Sequence, residues 1–102
     1  VETRIRFLSE VHKGAEIATA SYLLGADSKR LHVHHDLLAD HDPSPVATQE
    51  AMLLHVSQGG EDGQPRVSPM REPILTRALD LAEAHSSIPA PDHVGYGVRT
   101  LR

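Results

Sequence analysis

Two stretches of this chain, about sixty residues apart, echo each other, and an internal repeat narrows the available folds more than any single motif does. Phe7 leads to Ala15, Ala18 and Tyr22 and, across Gly25, to Val33, His34 and His35. Val67 leads in the same way to Ile74, Leu75, Ala78 and Ala82, then to Asp92, His93 and Val94. Phe7 to Ala18 and Val67 to Ala78 are both 11 positions, and Phe7 to His34 is 27 against 26 for Val67 to His93. Duplicated helical hairpins that shelter each other complete one core. The spacing therefore predicts an all-α fold of about five helices in two pseudo-repeated halves. It places one domain over 1–102, with half-repeats at about 3–58 and 67–102 and a loop at 59–66. Such an arrangement points to binding rather than catalysis.

The apolar pattern supports helices along most of the chain. From Thr3 to Leu24, Ile5, Leu8, Val11, Ala15, Ala18 and Tyr22 recur every three or four residues, with Gly25 placed as a C-cap. Gly14 inside that stretch costs about 1 kcal/mol relative to alanine. A short second helix is expected from His34 to Asp40, ending before Asp42-Pro43, and a third from Ser44-Pro45 to about Ser57. Gly59 through Pro65 reads as a flexible loop. A fourth helix begins between Pro69 and Pro73 and carries Ile74, Leu75, Ala78, Leu79 and Ala82, the cleanest stripe in the chain. Val94, Val98 and Leu101 suggest a fifth. Alternation at a period of two is not sustained, so no sheet is expected.

Composition excludes several classes of function. The formal charge of -4 arises from 14 acids and 10 scattered bases, which gives no phosphate-tracking stripe, and no nucleic-acid partner is expected. Without cysteine there is neither a disulfide framework nor a thiol nucleophile. No apolar run approaches the roughly 20 residues of a spanning helix, and the N-terminal Val-Glu-Thr-Arg is unlike a signal peptide. The expectation is therefore a cytoplasmic protein with no membrane partner. A start at Val1 rather than Met also fits a fragment of something longer.

The residues that could carry chemistry are mostly histidines. His32, His34, His35 and His41 stand among Asp36, Asp40 and Asp42, and imidazole with carboxylate is a donor set for zinc, nickel or iron. No HExxH or repeated ExxH motif accompanies them, so the reading that needs least is a helix-start histidine with solvated neighbours, able to lend pH sensitivity. A histidine-rich metal-binding helical protein remains as an alternative, and a small helical dimerisation subunit as another. Ser9, Ser21, Ser44, Ser57 and Ser68 lack the nucleophile-elbow context that would single one out. Neither a catalytic residue nor a metal ligand is assigned, and no cofactor is expected. Apolar residues that a small core would not need are the binding candidates: Phe7, Tyr22, Val67 and Tyr96.

An apolar residue followed by Ser or Thr, spaced apolar and Ala positions, and then His at a short helix form a pattern similar to a known family. Phe7, Ala15, Ala18, His34 or His35, Leu37-Leu38-Ala39 and Asp42-Pro43-Ser44-Pro45 carry it in the first half. Val67-Ser68-Pro69, Ile74-Leu75, Ala78, Ala82 and His93 carry it in the second. The chain resembles the Clp N-terminal repeat found at the front of Hsp100-type AAA+ unfoldases. That resemblance implies a non-catalytic module that receives peptide or protein ligands for an unfoldase, its protease or an adaptor. It also implies that Phe7 and Val67, the repeat-leading residues, lie near the ligand surface. A stand-alone copy would act as an adaptor or a decoy. The absence of a G-x-x-x-x-G-K-[ST] loop agrees with a module that hydrolyses no ATP.

Overall fold

Residues 31–37 read Leu-His-Val-His-His-Asp-Leu, and in an extended chain every second side chain falls on the same face. One face then collects Leu31, Val33, His35 and Leu37, the other His32, His34 and Asp36. The computed structural model, which describes residues 1–59 and 62–101, builds its sheet around this strand. The elements are β1 (Glu2–Phe7), β2 (Ile17–Ala26), β3 (Arg30–Ala39), β4 (Ala47–Leu54), β5 (Val56–Gln58), β6 (Pro65–Val67) and α1 (Ile74–His85). Strands β1 to β4 form an antiparallel sheet in the order β1-β4-β3-β2, and β5 pairs with β6 as a separate small hairpin. None of the described helices is long and apolar enough to cross a membrane.

This overturns the all-α expectation. The helix expected over 3–24 is two strands joined by a connection in which Gly14 takes a left-handed φ of 89°. The helices expected over 34–40 and 44–57 fall on β3 and on β4 with β5. A spacing of four keeps two residues on one face of a strand as it does on a helix, whereas a spacing of three divides them, and in β3 histidines fill the second face. Cross-strand pairing decided between the two periods. Among the described residues only the helix expected after Pro73 is present, as α1, while residues 92–101 run through turns and bends. The two halves accordingly share no element order. The loop expected at 59–66 includes Gly60 and Glu61, which lie outside the described residues, and β6 begins at Pro65.

Register is fixed at the β2–β3 turn. Asp27 Oδ1 accepts the backbone N–H groups of Lys29 and Arg30 at 2.9 and 2.7 Å, and its Oδ2 takes the Arg30 guanidinium at 2.7 Å. The side-chain hydrogen bond from Arg30 holds the Asp27 carboxyl below the usual carboxylate range. From this turn Leu23 pairs with Val33, Tyr22 with His34 and Ser21 with His35, after a bulge between Leu23 and Gly25. A slip of one residue would exchange the two faces of the strand.

The two faces are covered differently. Helix α1 packs beside β2 on the Leu31–Leu37 face, tied there by the Leu23 N–H, which donates to His85 Nδ1 at 2.9 Å. Residues 93–101 cross the opposite face. The Gly95 N–H donates to both Glu50 carboxylate oxygens at 3.1 Å, and the Leu101 N–H donates to His32 Nδ1 at 3.3 Å. His32 Nε2 in turn lies 2.6 Å from Glu50 Oε2, with His32 wholly buried and Glu50 4% exposed. Because Nδ1 accepts, the proton of neutral His32 sits on Nε2 and is donated to Glu50. Beside them His34 Nε2 meets Asp36 Oδ1 at 2.8 Å, while His34 Nδ1 is buried without a partner.

In β1 this coverage inverts the ordinary rule. Arg4 and Arg6 are half-covered by the returning segment, with Gly97 resting against Arg4, whereas Ile5 and Phe7 stand exposed on the other face. Gly25 shows how closely the segment approaches, since a Cβ there would lie 2.7 Å from Leu101 Cβ. Gly25→Ala should therefore push Leu101 off the sheet and cost about 1–3 kcal/mol, the usual range for overpacking. Chemical denaturation checks this, and an unchanged midpoint would show that the contact yields freely.

Candidate functional site

The face of the sheet that carries α1 is mainly apolar, with a hydrogen-bonded pair at its middle and Thr19 and Gln49 beside it. Ser21 on β2 and His35 on β3 are directly opposed, and Ser21 Oγ lies 2.7 Å from His35 Nδ1. Two grooves meet at this pair. One, of about 360 Å³, runs between the sheet and α1 along Leu23, Leu31, Val33, Ile74, Ala78 and Leu81, with Arg77 the single cationic side chain among its described lining. The other, of about 520 Å³, runs toward β1 along Ile5, Phe7, Thr19, Leu37, Ala47 and Gln49. Ser21 and His35 line both. An imidazole held by a neighbouring hydroxyl and open to an apolar groove is a candidate general base, with room beside it for a substrate. Gln49 is the register partner of His35 on β4. It donates from Nε2 to Thr3 Oγ1 at 3.2 Å and keeps a second N–H for the groove.

The four residues expected to bind a ligand do not converge. Phe7 is 85% exposed and lines the larger groove with the Ser21–His35 pair. Tyr22 stacks on His34, ring centroids 5.9 Å apart, and reaches the smaller groove. Val67 stands exposed on β6 of the separate hairpin. Tyr96 belongs to the returning segment, is 71% exposed, and tilts against the His93 ring at 5.2 Å. The histidine run is split by the strand. His32 and His34 face one side, His35 the other, and His41 sits in the following turn 3.2 Å from Glu16. Among the described residues no group of three His, Cys, Asp or Glu side chains could hold a metal ion, so the metal-binding alternative has no site there.

Ser21 and His35 were both in view in the sequence, one among five undistinguished serines, the other as a helix-start histidine. Reading 31–37 at a period of two would have separated His35 from His32 and His34 and left it alone on an apolar face.

Comparison with known proteins settles the family. Residues 1–94 match the model of the thioesterase-like superfamily. The chain belongs to that superfamily. A betainyl-CoA thioesterase of Pseudomonas aeruginosa is 43% identical over 95 residues, which are 93% of this chain and 57% of that protein. An L-carnitine dehydrogenase/betainyl-CoA thioesterase of Agrobacterium fabrum is 45% identical over 102 residues, all of this chain and 20% of that protein. A crystal structure from Pseudomonas putida KT2440, described as a candidate thioesterase, superposes with a TM-score of 0.76 at 32% identity, covering 100% of this chain and 60% of that one. The antiparallel sheet with one helix is that of the hotdog thioesterase fold. The chain spans less than two thirds of the length of each of these relatives.

Membership in this superfamily overturns the resemblance to the Clp N-terminal repeat and what it implied. A non-catalytic recognition module gives way to a family of hydrolases. The peptide, unfoldase, protease and adaptor partners give way to relatives named for small coenzyme A thioesters. The low-information motifs that carried the resemblance are spread over strands, turns and one helix in the thioesterase-like chain.

Proposed function

We propose that this chain is a thioesterase that hydrolyses the coenzyme A thioester of a short acyl group, with His35 as general base. The observation that carries the reading is the 2.7 Å Ser21–His35 hydrogen bond at the junction of two apolar grooves. When Nδ1–H of His35 donates to Ser21 Oγ, the Nε2 lone pair is left to take a proton from water. The water oxygen then adds to the thioester carbonyl carbon, with the second N–H of Gln49 available to the developing oxyanion. Collapse of the tetrahedral intermediate breaks the C–S bond, and the leaving thiolate recovers the proton from His35. One water and one thioester thus give one carboxylic acid and one thiol.

Ser21 fits the role of orienting the imidazole better than that of nucleophile. It lies in mid-strand, without the sharp strand-to-helix turn that thrusts a nucleophilic serine into a site. The pantetheine arm is assigned to the groove along α1, where Arg77 faces the phosphates, and the acyl group to the groove toward Phe7. Phe7 is thereby retained as a ligand-contacting residue. Coenzyme A thioesters belong to intracellular metabolism, which supports a cytoplasmic place for the protein. The test is thiol release from betainyl-CoA, followed with a thiol-reactive dye beside a no-protein control. Stoichiometric free coenzyme A is expected, and a folded protein that releases none would overturn the assignment.

A further inference from the structure

Phe7 is the one aromatic side chain lining the larger groove, and that groove has no Asp, Glu, Lys or Arg among its described lining residues. A bare aromatic ring in an uncharged groove is well placed for a particular kind of cation. A primary ammonium brings three N–H donors, and at the Phe7 end of the groove the ring, Ala47 and Leu37 offer no acceptor, the Thr19 hydroxyl being the nearest polar group of the lining. A quaternary ammonium brings no donor. Its methyl groups suit apolar walls, and its charge is attracted to the face of an aromatic ring.

Register supplies the distance. Phe7 pairs with Ala47, which pairs with Leu37, two positions along β3 from His35. Two strand spacings across and two residues along separate the Cα atoms of Phe7 and His35 by about 12 Å. Both side chains line the same groove, so a ligand lying along it between ring and imidazole has about that distance to cover. With the attacking water at one end and the cation–ring contact at the other, a carbonyl carbon and a quaternary nitrogen one methylene apart bridge a gap of that order, whereas a long acyl chain would overrun it.

From the ring, the uncharged walls and this spacing, we propose that Phe7 is the specificity-determining residue for a quaternary-ammonium acyl group, holding the trimethylammonium head while the carbonyl faces His35. The proposal rests on the thioesterase reading and deepens it. A neutral cap of the same shape should fit the groove equally well but gain nothing from the ring's charge distribution.

The test compares betainyl-CoA with 3,3-dimethylbutanoyl-CoA, in which carbon replaces the quaternary nitrogen at the same size. In the unaltered chain kcat/KM should favour the cationic thioester. Phe7→Leu should lower that preference roughly 2- to 30-fold, the range a cation–π contact supplies, over and above any loss of shape contact shared by both thioesters. Phe7→Trp should restore it. Phe7 is exposed, so Phe7→Leu is expected to fold, and circular dichroism checks this. Equal loss toward both thioesters would reduce Phe7 to a shape contact and overturn the proposal, as would an unchanged preference. If neither thioester is hydrolysed, the thioesterase reading fails separately. The ratio of the two dissociation constants, measured calorimetrically in unaltered and Phe7→Leu protein, then decides the proposal by the same criterion.

Discussion

His35→Gln is expected to lower kcat toward a coenzyme A thioester about 10²- to 10⁴-fold, the loss that follows removal of a positioned general base. KM should change little, because the amide fills nearly the same space and leaves the other lining residues of both grooves in place. The dependence of kcat on ionisation of the imidazole should vanish in the variant, a change that a merely structural histidine would not produce. Ser21→Ala is the informative companion. If Ser21 only fixes the orientation of the imidazole, its loss costs one neutral hydrogen bond of about 0.5–1.5 kcal/mol, or roughly 2- to 13-fold in rate. A Ser21→Ala variant as crippled as His35→Gln would make the serine the nucleophile and displace water from that role. Steady-state kinetics of both variants, each checked for native melting, separate the outcomes.

Glu50→Ala should damage the fold rather than the chemistry. The Glu50 carboxylate accepts from His32 Nε2 and from the Gly95 N–H, and it is 4% exposed beside an imidazole with no exposure at all. Leaving the buried His32 N–H without its acceptor typically costs about 1–3 kcal/mol, because the donor keeps its desolvation penalty without its partner. For a chain of this length each 1 kcal/mol lowers Tm by roughly 4–8 °C, so a fall of about 4–24 °C is expected in a thermal melt. Glu50→Gln keeps one acceptor and should fall between the two. A Glu50→Ala protein that melts within a few degrees of the parent would show that water replaces the carboxylate there. Hydrogen exchange at Gly95 and Leu101 would locate the damage in the returning segment.

The sequence holds the strands more plainly than the helical reading allowed. Glu2-Thr-Arg-Ile-Arg-Phe alternates charged with uncharged residues, and residues 31–37 alternate with His35 as the one polar intruder on the apolar side. The helical reading dominated because Ile5, Leu8, Val11 and Ala15 also match a 3.6-residue period, although Leu8, Val11 and Ala15 lie in the connection between β1 and β2. Helix α1 was legible because Pro73 and the stripe from Ile74 to Ala82 agree on one structure. The site was harder to read. Ser21 and His35 are 14 positions apart and meet only through the register set at Asp27 and Arg30, and no local pattern announces a pairing made across two strands. Phe7 stands out in the sequence as an aromatic residue surplus to a small core, and it is exposed on β1.

The returning segment also affects how the molecule is made. Arg99 reaches Glu2 across 97 positions and Leu101 reaches His32 across 69, so the shield over the buried imidazoles comes from residues remote in the chain. Closing such large loops is paid in entropy before any contact rewards it, and antiparallel sheets assembled from distant partners fold in milliseconds to seconds rather than microseconds. The cover over His32 and Glu50 thus depends on long-range closure rather than on local turns.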